Sequence, residues 1–301
     1  MKNKWLVLIT VLFASMSLTG CSKDSSGRTS IEKNLVYTYD EETDGYAVSC
    51  SGVKTEALLT KYKVTIPETY KGNKGKKPVT KIAKSGFENI SPLETVSLPE
   101  SIVSIEESAF AGCKSLILIN LPSKLTKISA YSFNNTAIYK ITIPEGVTSI
   151  GDCAFKINHL KELHIPANVQ TIGYAAFSYS TYLYKITVDE NNPYFESRDS
   201  NAIVEKENNR VILGCKRTTF PESVTTIGTN AFYGVRFVTD DVVVPLRIPT
   251  NIVCIEKNAF RNCEHLTIYC GFDEKPDGWD DEWHDDTYMT IYYNGNWPSH
   301  N

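Results

Sequence analysis

The chain has 301 residues, 42% of them hydrophobic and 22% charged, with a formal net charge of -4. That is ample material for a packed core. The mild acidity, with no basic stripe apart from residues 71–77, argues against nucleic acid as a partner.

Residues 1–20 read as a targeting segment, in which Lys2 and Lys4 precede an apolar run from Trp5 to about Met16. The run is too short to span a bilayer. Leu18-Thr19-Gly20-Cys21 comes next and resembles the bacterial lipobox, whose cysteine is lipid-modified and becomes the first residue of the mature chain. An ordinary signal peptide with a chance cysteine is the alternative. Behind it, the polar, Ser-rich stretch makes residues 21–32 a flexible tether.

Residues 33–66 hold two alternating runs, Leu35 to Tyr39 and Tyr46 to Cys50, which read as a hairpin and then a first strand. The expected task of the hairpin is to cap the apolar end of the repeats that begin near residue 67. The segment from Lys71 to Lys77 reads as a solvated insertion, with an anionic ligand as the alternative.

Residues 67–270 are organised by a repeat of 22 to 23 residues, stated fully as Leu160, Leu163, Ile165, Pro166, Val169, Ile172, Ala176 and Phe177. Its second half recurs seven times, ending at Phe87, Phe110, Phe133, Phe155, Phe177, Phe232 and Phe260. A unit of this size cannot bury its own apolar side, so successive units must cover one another and form a solenoid. Leu163 and Ile165 have strand spacing, with His164 pointing out between them. The proline ends the strand, and the Ala-Phe pair suits a single helical turn. Two stretches interrupt the pattern: 189–218, read as a second hairpin around Asn208-Asn209, and 236–246. Each is either a binding loop or a tolerated excursion. Residues 271–301 are acidic and carry Trp279 and Trp283; they read as a tryptophan-pinned end cap, with calcium binding as the alternative.

This unit resembles the leucine-rich repeat of the BspA type, also called the Treponema pallidum type, over roughly residues 62–270. The resemblance implies a repeat solenoid of short parallel strands, turns and brief helical segments. It further implies a cell-surface role in adhesion, with host extracellular-matrix or plasma proteins among the family's ligands. It supplies no catalytic motif, and a regular Asn column is missing.

The residues themselves point away from enzyme chemistry. No His-Glu-x-x-His, Gly-x-Ser-x-Gly or phosphate-binding glycine loop is present, so no cofactor or metal is expected. Seven cysteines remain after Cys21. Cys113 and Cys263 share one repeat address with Thr136, Asn158, Ser180 and Val235, which suggests packing; Cys254 could meet Cys270 or Cys263 if adjacent turns align.

The outward side of the strand column is the expected binding face. One ladder contains Thr65, Ser97, Asn120, Thr142, His164, Thr187, Thr219 and Arg247, and the next contains Lys63, Thr95, Leu118, Lys140, Glu162, Lys185 and Arg217. Stacked at strand spacing over eight turns, these would give a continuous polar surface of roughly 35 Å. Tyr139, Tyr174, Tyr179, Tyr182 and Tyr184 are expected beside it, and tyrosine favours interfaces. A solvated charge ladder is the alternative. The expectation is a lipid-anchored, surface-exposed module that binds a protein or glycan, against a structural envelope lipoprotein with no host ligand.

Overall fold

The computed structural model describes residues 29–51, 61–239, 242–285 and 289–293. The targeting segment and Cys21 lie outside the described residues. Each repeat is one turn of a solenoid with three sides: a strand, a second shorter strand, and a turn that carries the phenylalanine.

The first side comes from alternation. In strand Glu162–Ile165, Leu163 and Ile165 are buried while Glu162 and His164 are exposed. The proline after the strand opens a corner, its carbonyl accepting the N–H three residues on, as from Leu125 to Pro122 (3.1 Å) and Val147 to Pro144 (3.0 Å). The second side is a column of two-residue strands, Ser104–Ile105, Lys127–Ile128, Ser149–Ile150 and Thr171–Ile172, paired in parallel with one isoleucine stacked per turn. Two residues are too few for alternation to mark a strand, so this column is invisible in the pattern.

The third side corrects the expected helical turn. The residues two before and two after each phenylalanine are left-handed: Tyr131 (φ 58°) and Asn135 (58°) around Phe133, Cys153 (52°) and Ile157 (57°) around Phe155. They reverse the chain and aim its amides along the stack. The Phe110 N–H donates to Ser132 O at 2.8 Å, Phe133 to Ala154 at 2.8 Å and Phe155 to Ala176 at 2.7 Å. A helix would use these donors within one turn; here they tie neighbouring turns together. Among the described residues the only helix is the 3-10 turn Glu32–Asn34. Beneath this side, the rings from Phe87 to Phe177 form a stack with centroids 5.2 to 5.6 Å apart.

The shared cysteine address proves to be a hydrogen-bonding one. Cys113 Sγ donates to the Phe87 carbonyl (3.0 Å), Cys263 Sγ to Phe232 (3.1 Å) and Thr136 Oγ1 to Phe133 (3.0 Å). A small donor at this position satisfies a buried carbonyl, which is why Cys, Thr, Asn and Ser alternate there. All seven described cysteines are free thiols, so neither pairing considered for Cys254 forms. Burial pushes the Cys113 thiol up to about 12.

The expected excursion at 189–218 is core. Phe195–Glu196, Ile203–Glu205 and Arg210–Leu213 pair antiparallel, and Arg210–Leu213 then rejoins the second column in parallel with Thr226–Ile227. Ile203, Val204 and Val211 are buried. The ring stack is interrupted here, and the buried apolar residues part into two clusters. Arg210 ties the second cluster together. Its Nε and Nη2 donate to Glu256 at 2.8 and 2.7 Å, and the Thr229 N–H and hydroxyl donate to the same carboxylate at 2.8 and 2.7 Å. Burial opposes the ionised Glu256, but these donors outweigh it and bring its pKa down to about 2. The guanidinium passes over Gly228, where a Cβ would lie 2.8 Å from Arg210 Cζ; the glycine is needed for space. The stretch 236–246 contains a small hairpin, Val238–Thr239 with Val242–Val243.

At the N-terminal end, residues 29–32 are folded and do not belong to a tether. Thr29–Ser30 pairs in parallel with Tyr62 and Lys63, and Ile31, an apolar residue at the edge of a polar stretch, is 1% exposed. The hairpin Leu35–Asp40 with Gly45–Cys50 extends the second column, Gly45–Cys50 pairing with Gly75–Ile82. The segment 71–77 is likewise ordered, as part of the antiparallel hairpin Thr69–Gly72 with Gly75–Ile82. At the other end, Trp279 and Trp283 are buried, and Trp279 Nε1 donates to the Ile252 carbonyl (3.1 Å). A further strand, Met289–Tyr292, pairs with Leu266–Cys270.

Candidate recognition face

The first strand column is where side chains alternate in and out, so its outer positions form a surface. Where turns pair, the registers agree with the expected ladders: Thr65 opposite Ser97, Thr95 opposite Leu118, Glu162 opposite Lys185 and His164 opposite Thr187. The Tyr184 hydroxyl donates to Glu162 Oε1 (2.8 Å), a bond that raises the phenol above its usual range. Lys185 Nζ stands 3.9 Å from Glu162, His164 Nδ1 lies 3.0 Å from Thr187 Oγ1, and the Arg217 guanidinium sits 5.6 Å from the Tyr184 ring centre. Tyr182 meets the His159 ring edge-on at 5.0 Å.

The column is not continuous, contrary to the expected 35 Å ladder. Residues 139–143 are not in a strand; the Tyr139 carbonyl accepts the Lys161 N–H (3.3 Å), but no backbone bond among the described residues joins Ile141 or Thr142 to a neighbouring turn. This break opens a groove on either side. One, of about 590 Å³, lies between this segment and Leu118, Asn120 and Leu121; the other, of about 410 Å³, is lined by Glu162, His164, Tyr184, Lys185 and Thr187. Tyr139 and Lys140 line both, and Thr142 lines the first. Leu118 is 51% and Tyr139 46% exposed, so apolar surface is displayed within a polar face.

A second break comes after Val188. Asn201 stands in for the missing strand: the Ile186 N–H donates to its Oδ1 (2.7 Å), while its Nδ2 donates to the carbonyls of Tyr184 (3.0 Å) and Arg217 (3.3 Å). Asn120 acts similarly. Its Oδ1 accepts the Leu98 N–H and its Nδ2 donates to the Leu98 carbonyl, both at 2.9 Å. Its amide is therefore committed to the backbone, which removes it from the candidate contacts. Tyr174 and Tyr179 do not stand beside the ladders as expected, since both belong to the phenylalanine side. Tyr179 packs edge-on against Tyr233 (5.0 Å) and accepts a bond from Asn262 Nδ2 (2.6 Å). The column resumes with Arg247 opposite Tyr269 and Tyr269 opposite Tyr292, the two tyrosine rings stacked at 5.0 Å. The repeat read from the sequence ends at residue 270, so it takes in Leu266–Cys270 but stops short of Met289–Tyr292.

Chemically, the face offers aromatic and aliphatic contact area beside mixed charges and hydroxyls. Among the described residues no group of three or more His, Cys, Asp or Glu is placed to hold a metal ion.

A family model described as the BspA type leucine rich repeat region matches the chain in six copies, over residues 80–199 and 212–270. No curated protein matches. Among solved structures, a leucine rich cell surface protein from Faecalibacterium prausnitzii is 19% identical, covering 87% of this chain and 78% of its own, with a TM-score of 0.56. A leucine-rich repeat protein from Bacteroides ovatus is 20% identical, covering 87% and 67%, with a TM-score of 0.57. One from Eubacterium ventriosum is 18% identical, covering 82% and 73%, with a TM-score of 0.55. At these identities the similarity concerns the fold alone.

Proposed function

Because the chain belongs to the BspA-type leucine-rich repeat family, we propose that it is a lipid-anchored surface protein that binds an extracellular protein or glycoprotein through its first strand column. The observation that carries this reading is the break at 139–143, which exposes Leu118 and Tyr139 between two grooves on an otherwise polar face. Aromatic anchors flanked by hydrogen-bonding groups are the usual composition of an interface centre. Tyr182 and Tyr184 extend the aromatic surface; Lys140, Glu162, His164, Lys185 and Thr187 supply the rim. Thr95 and Ser97 lie farther along the same ladders. Cys21 would supply the anchor, and one structural relative is described as a cell surface protein.

The test is saturable binding to a panel of purified extracellular-matrix and plasma glycoproteins. At least one is expected to bind, and Tyr139→Ala with Tyr182→Ala, both exposed, should weaken it by about 2 kcal/mol, or roughly 30-fold. Glu162→Gln should cost less and alter mainly the salt dependence, since exposed ion pairs contribute about 0 to 1 kcal/mol. Lys124→Ala, outside both grooves, is the control. Absence of saturable binding to the whole panel, or equal losses from all the variants, would remove the proposal.

A further inference from the structure

We propose that Lys71, Lys74 and Lys76 form a basic spur that rests on the anionic headgroups of the membrane carrying the anchor, so that the solenoid is held by its first turn as well as by its tether. This rests on the reading of Cys21 as a lipidation site. The hairpin Thr69–Gly72 with Gly75–Ile82 puts Lys71 directly opposite Lys76, an arrangement that works against the pairing of the two strands. Lys74 is at the tip. The ribbon is nonetheless firmly held. Gly75 closes it at a φ of 88°, the left-handed backbone such a turn needs. The buried Tyr46 hydroxyl donates to the Gly75 carbonyl (3.2 Å) and accepts the Lys74 N–H (3.3 Å), and Tyr70 stacks on Tyr37 with ring centres 3.9 Å apart.

Charge is sorted across this ribbon. Lys77 pairs with Asp44 (2.7 Å) and Lys81 with Asp40 (2.7 Å) and Glu42 (2.5 Å), so those three acids are answered, while Glu41 and Glu68 form no ion pair among the described residues. Lys71, Lys74 and Lys76 are exposed and form no ion pair among the described residues. Lys71 and Lys76 stand side by side on the ribbon and Lys74 at its tip, its ammonium 5.5 Å from the Tyr39 ring centre; charges spread in this way suit an extended anionic surface better than a single anion. Position agrees with charge. The described chain begins at Thr29–Ser30, paired to the strand Tyr62–Thr65 that leads into this hairpin. From Cys21 to Thr29 there are eight residue steps, which reach at most about 28 Å. An anchored first turn is thus confined near the lipid surface, where basic side chains gain most.

The experiment uses the full chain carrying Cys21→Ser, so that acylation cannot contribute, and measures partition onto phosphatidylcholine vesicles with and without phosphatidylglycerol. Partition at low salt should rise with the anionic lipid and fall as salt is added. Lys71→Gln with Lys74→Gln and Lys76→Gln should reduce it by roughly 100-fold, equivalent to about 1 kcal/mol for each lysine, without lowering the melting midpoint. Equal partition onto both vesicles, an unchanged triple variant, or binding to a soluble sulfated polysaccharide but not to vesicles would overturn the proposal. The mass of the N-terminal peptide of the wild-type protein reports acylation separately, so failure of the anchor is distinguishable from failure of the spur.

Discussion

Phe155→Ala should lower the stability of the protein by about 3 to 5 kcal/mol, a large share of the 5 to 15 kcal/mol typical of a folded domain. Phe155 is fully buried and stacks on both sides, with Phe133 at 5.2 Å and Phe177 at 5.4 Å. Truncation leaves a void that neighbouring turns cannot close, because the backbone bonds along the phenylalanine side fix the spacing between turns. Phe177 offers an internal comparison. It ends the ring stack before the 189–218 insertion and has one ring neighbour in the column. Phe177→Ala should therefore cost less than Phe155→Ala by about 0.5 to 1.5 kcal/mol, the range attributed to an aromatic pair beyond area burial. Denaturant midpoints of the two variants decide the matter, and equal losses would show that stacking across turns is not what sets the cost.

Trp283→Ala should be almost as damaging, at about 3 to 5 kcal/mol, although it lies at the end of the stack. A solenoid end exposes its core unless something covers it. Trp283 is 1% exposed, meets Phe260 edge-on at 5.5 Å and Trp279 at 5.2 Å, and its carbonyl accepts the Phe260 N–H at 2.9 Å. It takes the place of a next phenylalanine without offering a flat face to a further turn. Besides a lowered midpoint, the variant should gain protease cleavage within residues 254–285 before the first ring stack opens, because turns in a repeat stack couple mainly to their neighbours. A near-neutral midpoint would mean that residues 271–285 do not close the core.

Most of the repeat was legible because burial imposes period. Leu163, Ile165, Val169, Phe177 and their equivalents announce the stack, and the alternation around His164 gives the outward ladder and its register. What stayed hidden was of two kinds. Short-range backbone geometry left little trace: the left-handed positions flanking each phenylalanine are filled by Ser, Tyr, Cys, Ala, Asn, Ile and Gly, so the turn resembled a helical one in composition. Side-chain substitutes for backbone were the second kind. Asn120 and Asn201 look like surface residues until their amides are seen replacing ladder bonds. For the candidate site, the ladder residues could be named in advance, but the break that makes grooves of them lies where Ile141 and Thr142 form no backbone bond to a neighbouring turn, which pattern alone does not encode.

On the proposed function, the break at 139–143 is an open, ligand-accessible gap in the strand column. Amide hydrogen exchange of the full chain, alone and saturated with whichever panel glycoprotein it binds, tests it most directly. In the free protein the amides of Ile141 and Thr142 should exchange far faster than those within the paired strands Glu162–Ile165 and Lys185–Val188, and the bound glycoprotein should slow exchange across residues 118–121, 139–142 and 162–164. Slow exchange at Ile141 and Thr142 in the free protein, or protection confined to the phenylalanine side or to residues 189–218, would contradict it.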